Sequence, residues 1–271
     1  MKTEVTVLMS VYNDKKNLKE SIESILNQTY KDFEFLIFDD ASTDGSKEIL
    51  EQYERLDSRI KLVINNTNKG LSYNLAQGVV ASRTPWIARM DADDIAVNNR
   101  IEIQMNYVKE HPNVDIVGSY TIDINEDGKE LGLRKMPITH ERISSLIWAC
   151  PFVHPTVLYK KEAILLAGSY DEKLRRRQDY ELWFRCKAAK LRFANIDIPL
   201  IYYRCTNEYY KKNNFKVQVY QAKIGWNGAK MVKATPIAYF GIILSFLKGV
   251  LPYSIRKPLN EVLKKIDPRR M

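Results

Sequence analysis

Two acidic clusters in the first hundred residues carry the chemistry this sequence can do. Asp39 and Asp40 close the apolar run Phe33–Phe38, while Asp91, Asp93 and Asp94 close Trp86–Met90. In Asp91-Ala92-Asp93 two carboxylates stand two residues apart on an irregular turn, where both can approach a hard divalent cation or its waters. Oxygen ligands suit Mg²⁺ or Mn²⁺, the ions that accompany nucleotide diphosphates. An isolated pair of this kind usually does no more than cap a helix. A second acidic strand end in the same alternating pattern turns the reading towards a ligand site.

Something must place those acids together, and the pattern around them says what. Val5–Met9, Phe33–Phe38, Ile60–Ile64 and Trp86–Met90 are short β-rich runs. Between them Leu18, Ile22, Ile25 and Leu26 recur at helical spacing, as do Ile49, Leu50 and Tyr53, with Asp14 and Asp44 as candidate N-caps. This alternation predicts an α/β fold with a Rossmann-like, mostly parallel sheet flanked by helices. Ligands of such sheets bind beyond the carboxyl ends of the strands, where both acidic clusters lie.

After Met90 the pattern becomes mixed α+β. A helix is expected over Arg100–Glu110 and a hairpin of Ile116–Ile124 with Lys129–Leu133 around Asp127-Gly128. A helix near Glu141–Trp148, a strand near Thr156–Tyr159, a helix near Tyr180–Lys190 and a strand near Ile198–Arg204 follow. The expected organisation is a catalytic domain over residues 1–204, with a nucleotide-binding half at 1–95 and an acceptor half at 96–204. Residues 205–271 form a basic, amphipathic helical tail.

The net charge of +9 sits in that tail. From Cys205 onward there are 13 Lys/Arg against 3 Asp/Glu, which leaves the rest of the chain near neutrality. Such a distribution argues for a membrane surface and against a nucleic-acid partner. Pro236–Tyr253 contains only Ser245 and Lys248 as clearly polar side chains, but Lys248, Gly249 and Pro252 count against a spanning helix. A last helix carrying Leu259, Val262, Leu263 and Ile266 on one face is expected to lie in the membrane plane. Cys150, Cys186 and Cys205 follow no disulfide or zinc pattern, and the N-terminus has no signal-peptide pattern, so a cytoplasmic, membrane-peripheral protein is expected.

The ordered motifs resemble those of the family 2 inverting glycosyltransferases of GT-A type fold, in the branch that builds bacterial surface and exopolysaccharides. Ser10-Val11-Tyr12-Asn13, Ser24-Ile25-Leu26-Asn27-Gln28-Thr29-Tyr30, Phe38-Asp39-Asp40-Ala41-Ser42-Thr43-Asp44, Asn68-Lys69-Gly70-Leu71 and Met90-Asp91-Ala92-Asp93-Asp94 stand in the family's order. Phe152-Val153-His154-Pro155-Thr156, Gly168-Ser169-Tyr170-Asp171 and Gln178-Asp179-Tyr180-Glu181-Leu182-Trp183 continue the series. The resemblance implies transfer of a sugar from a nucleotide-sugar, a UDP-sugar above all, to an acceptor hydroxyl, and the basic, apolar tail points to a lipid-linked oligosaccharide or glycan as that acceptor. It implies that Val11 and Tyr12 line the base pocket and that Asp40, with Asp39 its nearest competitor, accepts from the uracil N3–H. Asp91 would sit near the ribose, Asp93 would ligate the metal with Asp91 beside it, and Asp179 would be the general base. Lys69 joins the donor side and Asp94 the acceptor side.

Three further candidates come from residue chemistry. His154 could position the acceptor or the diphosphate, although a lone histidine is more often structural. Arg175-Arg176-Arg177 precedes the candidate base, and Arg177 in particular could fork onto phosphate oxygens. Trp148, Trp183 and Trp226 could stack on a sugar, with Trp183 the acceptor-side choice, although helical aromatics usually pack in cores.

The chain departs from the family pattern at Ala41 and Ser169, where glycines are common, and at Thr206, which occupies a position often held by histidine. The absence of a Gln-x-x-Arg-Trp motif argues against a processive synthase. A sugar-phosphate nucleotidyltransferase would need a Gly-rich phosphate loop after the first strand, which Ser10-Val11-Tyr12-Asn13-Asp14 does not supply. A non-catalytic membrane scaffold of the same fold is the remaining alternative.

Overall fold

In the computed structural model, which describes residues 3–205, 215–251, 259 and 267–269, a nine-stranded sheet is the frame of the molecule. The first half alternates as the apolar spacing predicts. β1 (Val5–Val11), α1 (Leu18–Leu26), β2 (Phe33–Asp39), α2 (Ser46–Leu56), β3 (Ile60–Ile64), α3 (Leu71–Ala81) and β4 (Trp86–Asp91) follow one another. β3, β2, β1 and β4 lie side by side and pair in parallel. Buried on both faces, β1 and β2 are nearly continuous apolar runs.

The order reverses at β1, which makes its carboxyl end the switch point where a crevice must open. Register places the acids there. Val11 pairs with Asp39 on one side of β1, and Ser10 pairs with Asp91 on the other.

The second half brings antiparallel strands. β5 (Ile95–Ala96), α4 (Arg100–Glu110), β6 (Ile116–Ile124), β7 (Glu130–Arg134), α5 (His140–Ser145), β8 (Leu158–Lys160), α6 (Lys161–Leu166), α7 (Gln178–Ala188) and β9 (Phe193–Arg204) complete the body. β8 joins β4 to β6 by antiparallel pairing, and β6 pairs in parallel with β9. The expected hairpin forms: Gly128 N–H donates to the Asn125 carbonyl at 3.1 Å across the β6–β7 turn.

Three expectations shift. The strand expected at Thr156–Tyr159 begins at Leu158, because His154–Thr156 turn in a short 3₁₀ segment led by Pro155. β9 starts at Phe193 rather than Ile198. Ser119 faces Ile196 while Tyr120 faces Pro199, so Asp197 and Ile198 bulge out of the ladder and hide its first residues from an alternation test. Asp14 is not a side-chain cap of α1; its carboxylate accepts from Asn17 Nδ2 (2.9 Å).

α8 (Phe215–Met231) and α9 (Pro236–Val250) follow the sheet. α8 lies close on α7: a side chain at Gly228 would collide with the Phe184 ring, and one at Gly225 with the Tyr180 hydroxyl. No helix among the described residues is long and apolar enough to cross a membrane. The last amphipathic segment, with Val262, Leu263 and Ile266, and Thr206 lie outside the described residues.

Candidate active site

The loops after β1 and β2 are knitted together. Asn13 N–H donates to Ser42 Oγ (3.1 Å), Thr43 N–H to Asn13 Oδ1 (2.8 Å) and Lys15 N–H to Asp44 Oδ2 (2.9 Å). Asp44 Oδ1 also accepts from Ser46 N–H (3.0 Å), so Asp44 does serve the start of α2. Ala41 holds φ +62° within this turn, and Ser169 holds φ +55° after Gly168. Both departures from the family's glycines therefore sit in left-handed backbone, where a Cβ costs on the order of 1–2 kcal/mol.

The two aspartates ending β2 have different lives. The Asp40 carboxylate is gripped by the loop before α3: Oδ1 accepts from Lys69 N–H (2.8 Å) and Asn65 Nδ2 (2.9 Å), and Oδ2 accepts from Gly70 N–H (2.8 Å). Asp39 Oδ2 receives one bond, from Ser42 N–H (3.3 Å), while its buried Oδ1 has none. A buried carboxylate oxygen without a donor is costly, so Asp39 keeps an acceptor that a donor from elsewhere would satisfy.

Tyr12 is half-exposed and free to face a ligand, whereas the Val11 side chain is fully buried in the core and its carbonyl accepts from Asp40 N–H (2.8 Å). Val11 supports the pocket from beneath rather than lining it with its side chain. Lys69 contributes its backbone to Asp40. Gly70 takes φ +94°, and Arg175 packs where its Cβ would stand. Arg175 also donates to Asn68 Oδ1 (3.2 Å), and Ser72 Oγ bonds the Leu174 carbonyl, so the arginine run closes over the loop that grips Asp40. Arg177, at φ +61°, caps α7 and turns the chain into it.

At the end of β4, ligand oxygens of Asp91, Asp93 and Asp94 all lie within 4.8 Å of one another. Asp91 pairs with the fully buried Arg89, two residues earlier on the strand. The Asp93 carboxyl is pushed up to about 7 by burial, then by the charges of Asp91 and Asp14. Asp94 is also raised well above the usual carboxylate range, by burial and by the charges of Asp93 and Asp91. Its Oδ1 accepts from Arg204 N–H (2.8 Å), and its buried Oδ2 has no donor. Asp94 is therefore a buried member of the acid cluster. Crowded carboxylates with an orphaned oxygen and only oxygen ligands are the donor set a hard divalent cation satisfies.

For Asp93 the sign follows directly. A carboxyl raised above its unfolded value favours the metal-free fold in acid, and that contribution is lost as pH rises from about 4 through about 7.

Arg204, at the end of β9, ties this cluster to the rest of the site. Its Nε donates to the Asp93 carbonyl (2.8 Å), Nη2 pairs with Glu20 (2.9 Å), and Nη1 reaches the carbonyls of Asn125 and Glu126 (both 3.3 Å). Nothing in local pattern marked Arg89, Arg204 or Asp14. The first two sit inside apolar strands, and only an uncompensated arginine in such a run is a signal.

Asp179 is the second residue of α7 and makes no helix-capping bond; its Oδ2 accepts from the Cys150 thiol at 3.7 Å. Tyr170 lies in the fields of both Arg89 and Asp179, which puts the head of α7 on the same side of the molecule as the acid cluster. His154 is buried, bonded through Nε2 to Tyr170 Oη (2.9 Å), and held well below its usual pKa by burial and by Arg89. A neutral imidazole in that position packs against Tyr170 and orients it. Trp183 is completely buried, 5.1 Å from the Phe152 ring and edge-on to His154. It is core, so a sugar cannot stack on it. Trp148 packs over Gly241 of α9, and Trp226 meets Tyr239 edge to face at 4.9 Å.

Acids on both flanks of β1, at the switch point of the sheet, have the arrangement of a ligand site of an open α/β fold, and sequence comparison gives the chain a family. Residues 6–193 match the model of glycosyl transferase family 2, and the chain belongs to that family. It is 36% identical over 273 residues to an uncharacterized glycosyltransferase of Methanocaldococcus jannaschii, covering 96% of this chain and 94% of the relative. It is 34% identical over 215 residues to the O-antigen biosynthesis glycosyltransferase WbnJ of Escherichia coli, covering 77% and 82%. Among solved structures it is similar to S. aureus TarS 1-349 in complex with UDP-GlcNAc (TM-score 0.65, 16% identity, 92% of this chain and 82% of that one). It is also similar to the mannosyltransferase PcManGT of Pyrobaculum calidifontis in complex with GDP-Man and Mn²⁺ (TM-score 0.64, 15% identity, 89% and 68%). Together with the sheet order these make the fold GT-A type.

Proposed function

We propose that this glycosyltransferase moves a single sugar from a UDP-sugar to an acceptor hydroxyl, with inversion at the anomeric carbon, in the assembly of a surface polysaccharide. The observation that carries the reading is the pair of acid sites flanking β1: Asp39, with an orphaned oxygen, and the Asp91–Asp93–Asp94 cluster opposite. The O-antigen role of a relative supports the pathway. Asp39 accepts from the base N3–H, with Tyr12 against the ring and Arg177 and Lys69 near the diphosphate. Asp93 and Asp91 hold Mn²⁺ or Mg²⁺, which when bound neutralises the charge left on the departing diphosphate. Arg89 and Arg204 keep those acids in place. Asp179 takes the acceptor's proton, and a single base with no covalent intermediate gives inversion.

The direct test is calorimetry of the full chain with UDP. Binding should require Mn²⁺ and tighten from pH 6 to pH 8, as Asp93 gives up the proton that competes with the ion. Metal-independent binding that ignores pH would remove the acid cluster from the donor site.

The acceptor we propose is membrane-borne, and α9 supports this. Ile237, Phe240, Leu244 and Leu247 are exposed along one stripe, while Ala238, Ile242 and Gly249 face inward. An uncovered apolar stripe on a basic tail fits a cytoplasmic-side membrane surface, where each cation near anionic lipid contributes on the order of 1 kcal/mol. Phe240→Asp with Leu247→Asp should therefore lower partition onto phosphatidylglycerol vesicles by roughly tenfold or more at low salt, with UDP binding unchanged. Equal partition of variant and wild type in a flotation assay would count against the tail as the anchor.

A further inference from the structure

The acceptor half contains a cleft that the donor chemistry leaves unused. Its volume is about 370 Å³, and Tyr120, Lys135, Pro137, Thr139, Arg142 and Arg269 contribute to its walls. Three of its lining side chains are cationic and none is acidic. Lys135 is exposed and meets no partner among the described residues. Arg142 is exposed too, donates to the Pro268 carbonyl (3.0 Å) and meets no described carboxylate. Arg269 is paired with Asp267 (2.6 Å) and stands in the field of a further cation, Arg134. Like charges gathered in a concave wall concentrate positive potential, and an anion of matching shape relieves it.

The cleft is also wired to the proposed catalytic base. Arg269 Nη1 donates to the carbonyls of Ala149 (3.1 Å) and Cys150 (3.4 Å), and the Cys150 thiol reaches Asp179 at 3.7 Å. Arg269 and Cys150 thus bridge the cleft wall to the residue that would deprotonate the acceptor. The donor diphosphate is served elsewhere, by the acids after β4, and the apolar stripe of α9 contributes nothing to these walls.

We propose that this cleft binds a phosphoryl or pyrophosphoryl group on the acceptor, so that the sugar is delivered to a phosphate-bearing glycan or glycolipid. The inference rests on the glycosyltransferase reading of Asp179. Guanidinium and ammonium donors placed on separate walls match the several oxygens of a phosphoryl group, whereas a single carboxylate would be satisfied by Arg142 alone. The volume falls in the range of small-ligand sites, ~300–1,000 Å³, with room for a sugar beside the anion.

The test uses the full chain. In EDTA, where the donor acids hold no metal, inorganic pyrophosphate is titrated by calorimetry into wild type and into the Lys135→Ala, Arg142→Ala double variant. Both positions are exposed, so the fold should survive, and unchanged UDP–Mn²⁺ affinity verifies it. The expected result is pyrophosphate binding by wild type that weakens by roughly tenfold or more in the variant. No binding by wild type, or equal binding by both, overturns the proposal. Phosphatidylglycerol vesicles form the second arm. A variant that keeps vesicle binding while losing pyrophosphate supports an acceptor subsite, and parallel loss of both makes the cleft a lipid-headgroup contact and overturns it. If wild type fails to bind UDP with Mn²⁺ yet binds pyrophosphate through these residues, the donor reading has failed and the anion site stands.

Discussion

Asp93→Ala should abolish Mn²⁺-dependent UDP binding and leave the protein folded, with a melting temperature at pH 8 equal to wild type or higher. The two halves of that expectation come from the same geometry. Asp93 contributes to the fold through its backbone, whose carbonyl accepts from Arg204 Nε, and the substitution keeps that bond. Its carboxylate is a burden in the metal-free state, because burial and the charges of Asp91 and Asp14 push it up to about 7. Removing it relieves repulsion above that pH. Loss of groups that merely orient a metal ligand typically costs 10–100-fold in affinity, so loss of a ligand itself should exceed ~10²-fold.

Asp91→Ala is the informative contrast, since it strips Arg89 of its counter-ion in the core. Breaking a buried pair from one side is destabilising by up to ~3–5 kcal/mol, and less here because Asp91 is partly exposed. A paired calorimetry and melting series would separate them. If Asp93→Ala binds UDP and Mn²⁺ as wild type does, or melts well below it at pH 8, the assignment of the side chain to the metal is wrong.

The contrast between these neighbours shows what local pattern could carry. Asp39, Asp91 and Asp93 were legible because a carboxylate at the end of an apolar strand has few reasons to be there, and sheet order places strand ends at the crevice. Which acid does what was not legible. The Asp40 oxygens are bonded to Asn65, Lys69 and Gly70, residues 25–30 positions away, and no local pattern announces that. The burial of Asp94 and Trp183 was not legible either, because burial is decided by what packs on top. β9 covers Asp94 through Arg204, and the Phe152–His154 segment covers Trp183. The supporting arginines escaped because their partners lie across the fold, Glu20 being 184 residues from Arg204. Helix and strand positions in the first half needed only periodicity. The second half mixes parallel and antiparallel neighbours, with a two-residue bulge in β9, and there periodicity gave the elements but not their bounds.

Asp179→Asn should leave melting temperature and UDP–Mn²⁺ affinity close to wild type and reduce sugar transfer by ~10²–10⁴-fold, the usual contribution of a positioned general base. A helix-start aspartate has a competing structural explanation, and the geometry lets the two be told apart. The cap position of α7 is Arg177 and no side chain bonds the free N–H groups there, so Asp179 supports the helix only through its charge near the N-terminus. That interaction is worth roughly 0.3–1 kcal/mol, which in a chain of this size shifts melting by a few degrees at most. Its hydrogen-bond partner among the described residues, the Cys150 thiol at 3.7 Å, is a weak donor that an asparagine oxygen can still receive. Asparagine thus preserves size, polarity and the thiol contact, and removes the capacity to accept a proton from an attacking hydroxyl. Asp179→Glu adds a second readout, because it keeps the base but displaces it along the cleft. Partial recovery of turnover in Asp179→Glu over Asp179→Asn, at equal donor affinity, is expected of a base and not of a helix charge. Transfer by Asp179→Asn within a few-fold of wild type, measured on the preparation used for melting and calorimetry, would take Asp179 out of the mechanism and leave the acceptor's proton to another group on this side of the crevice.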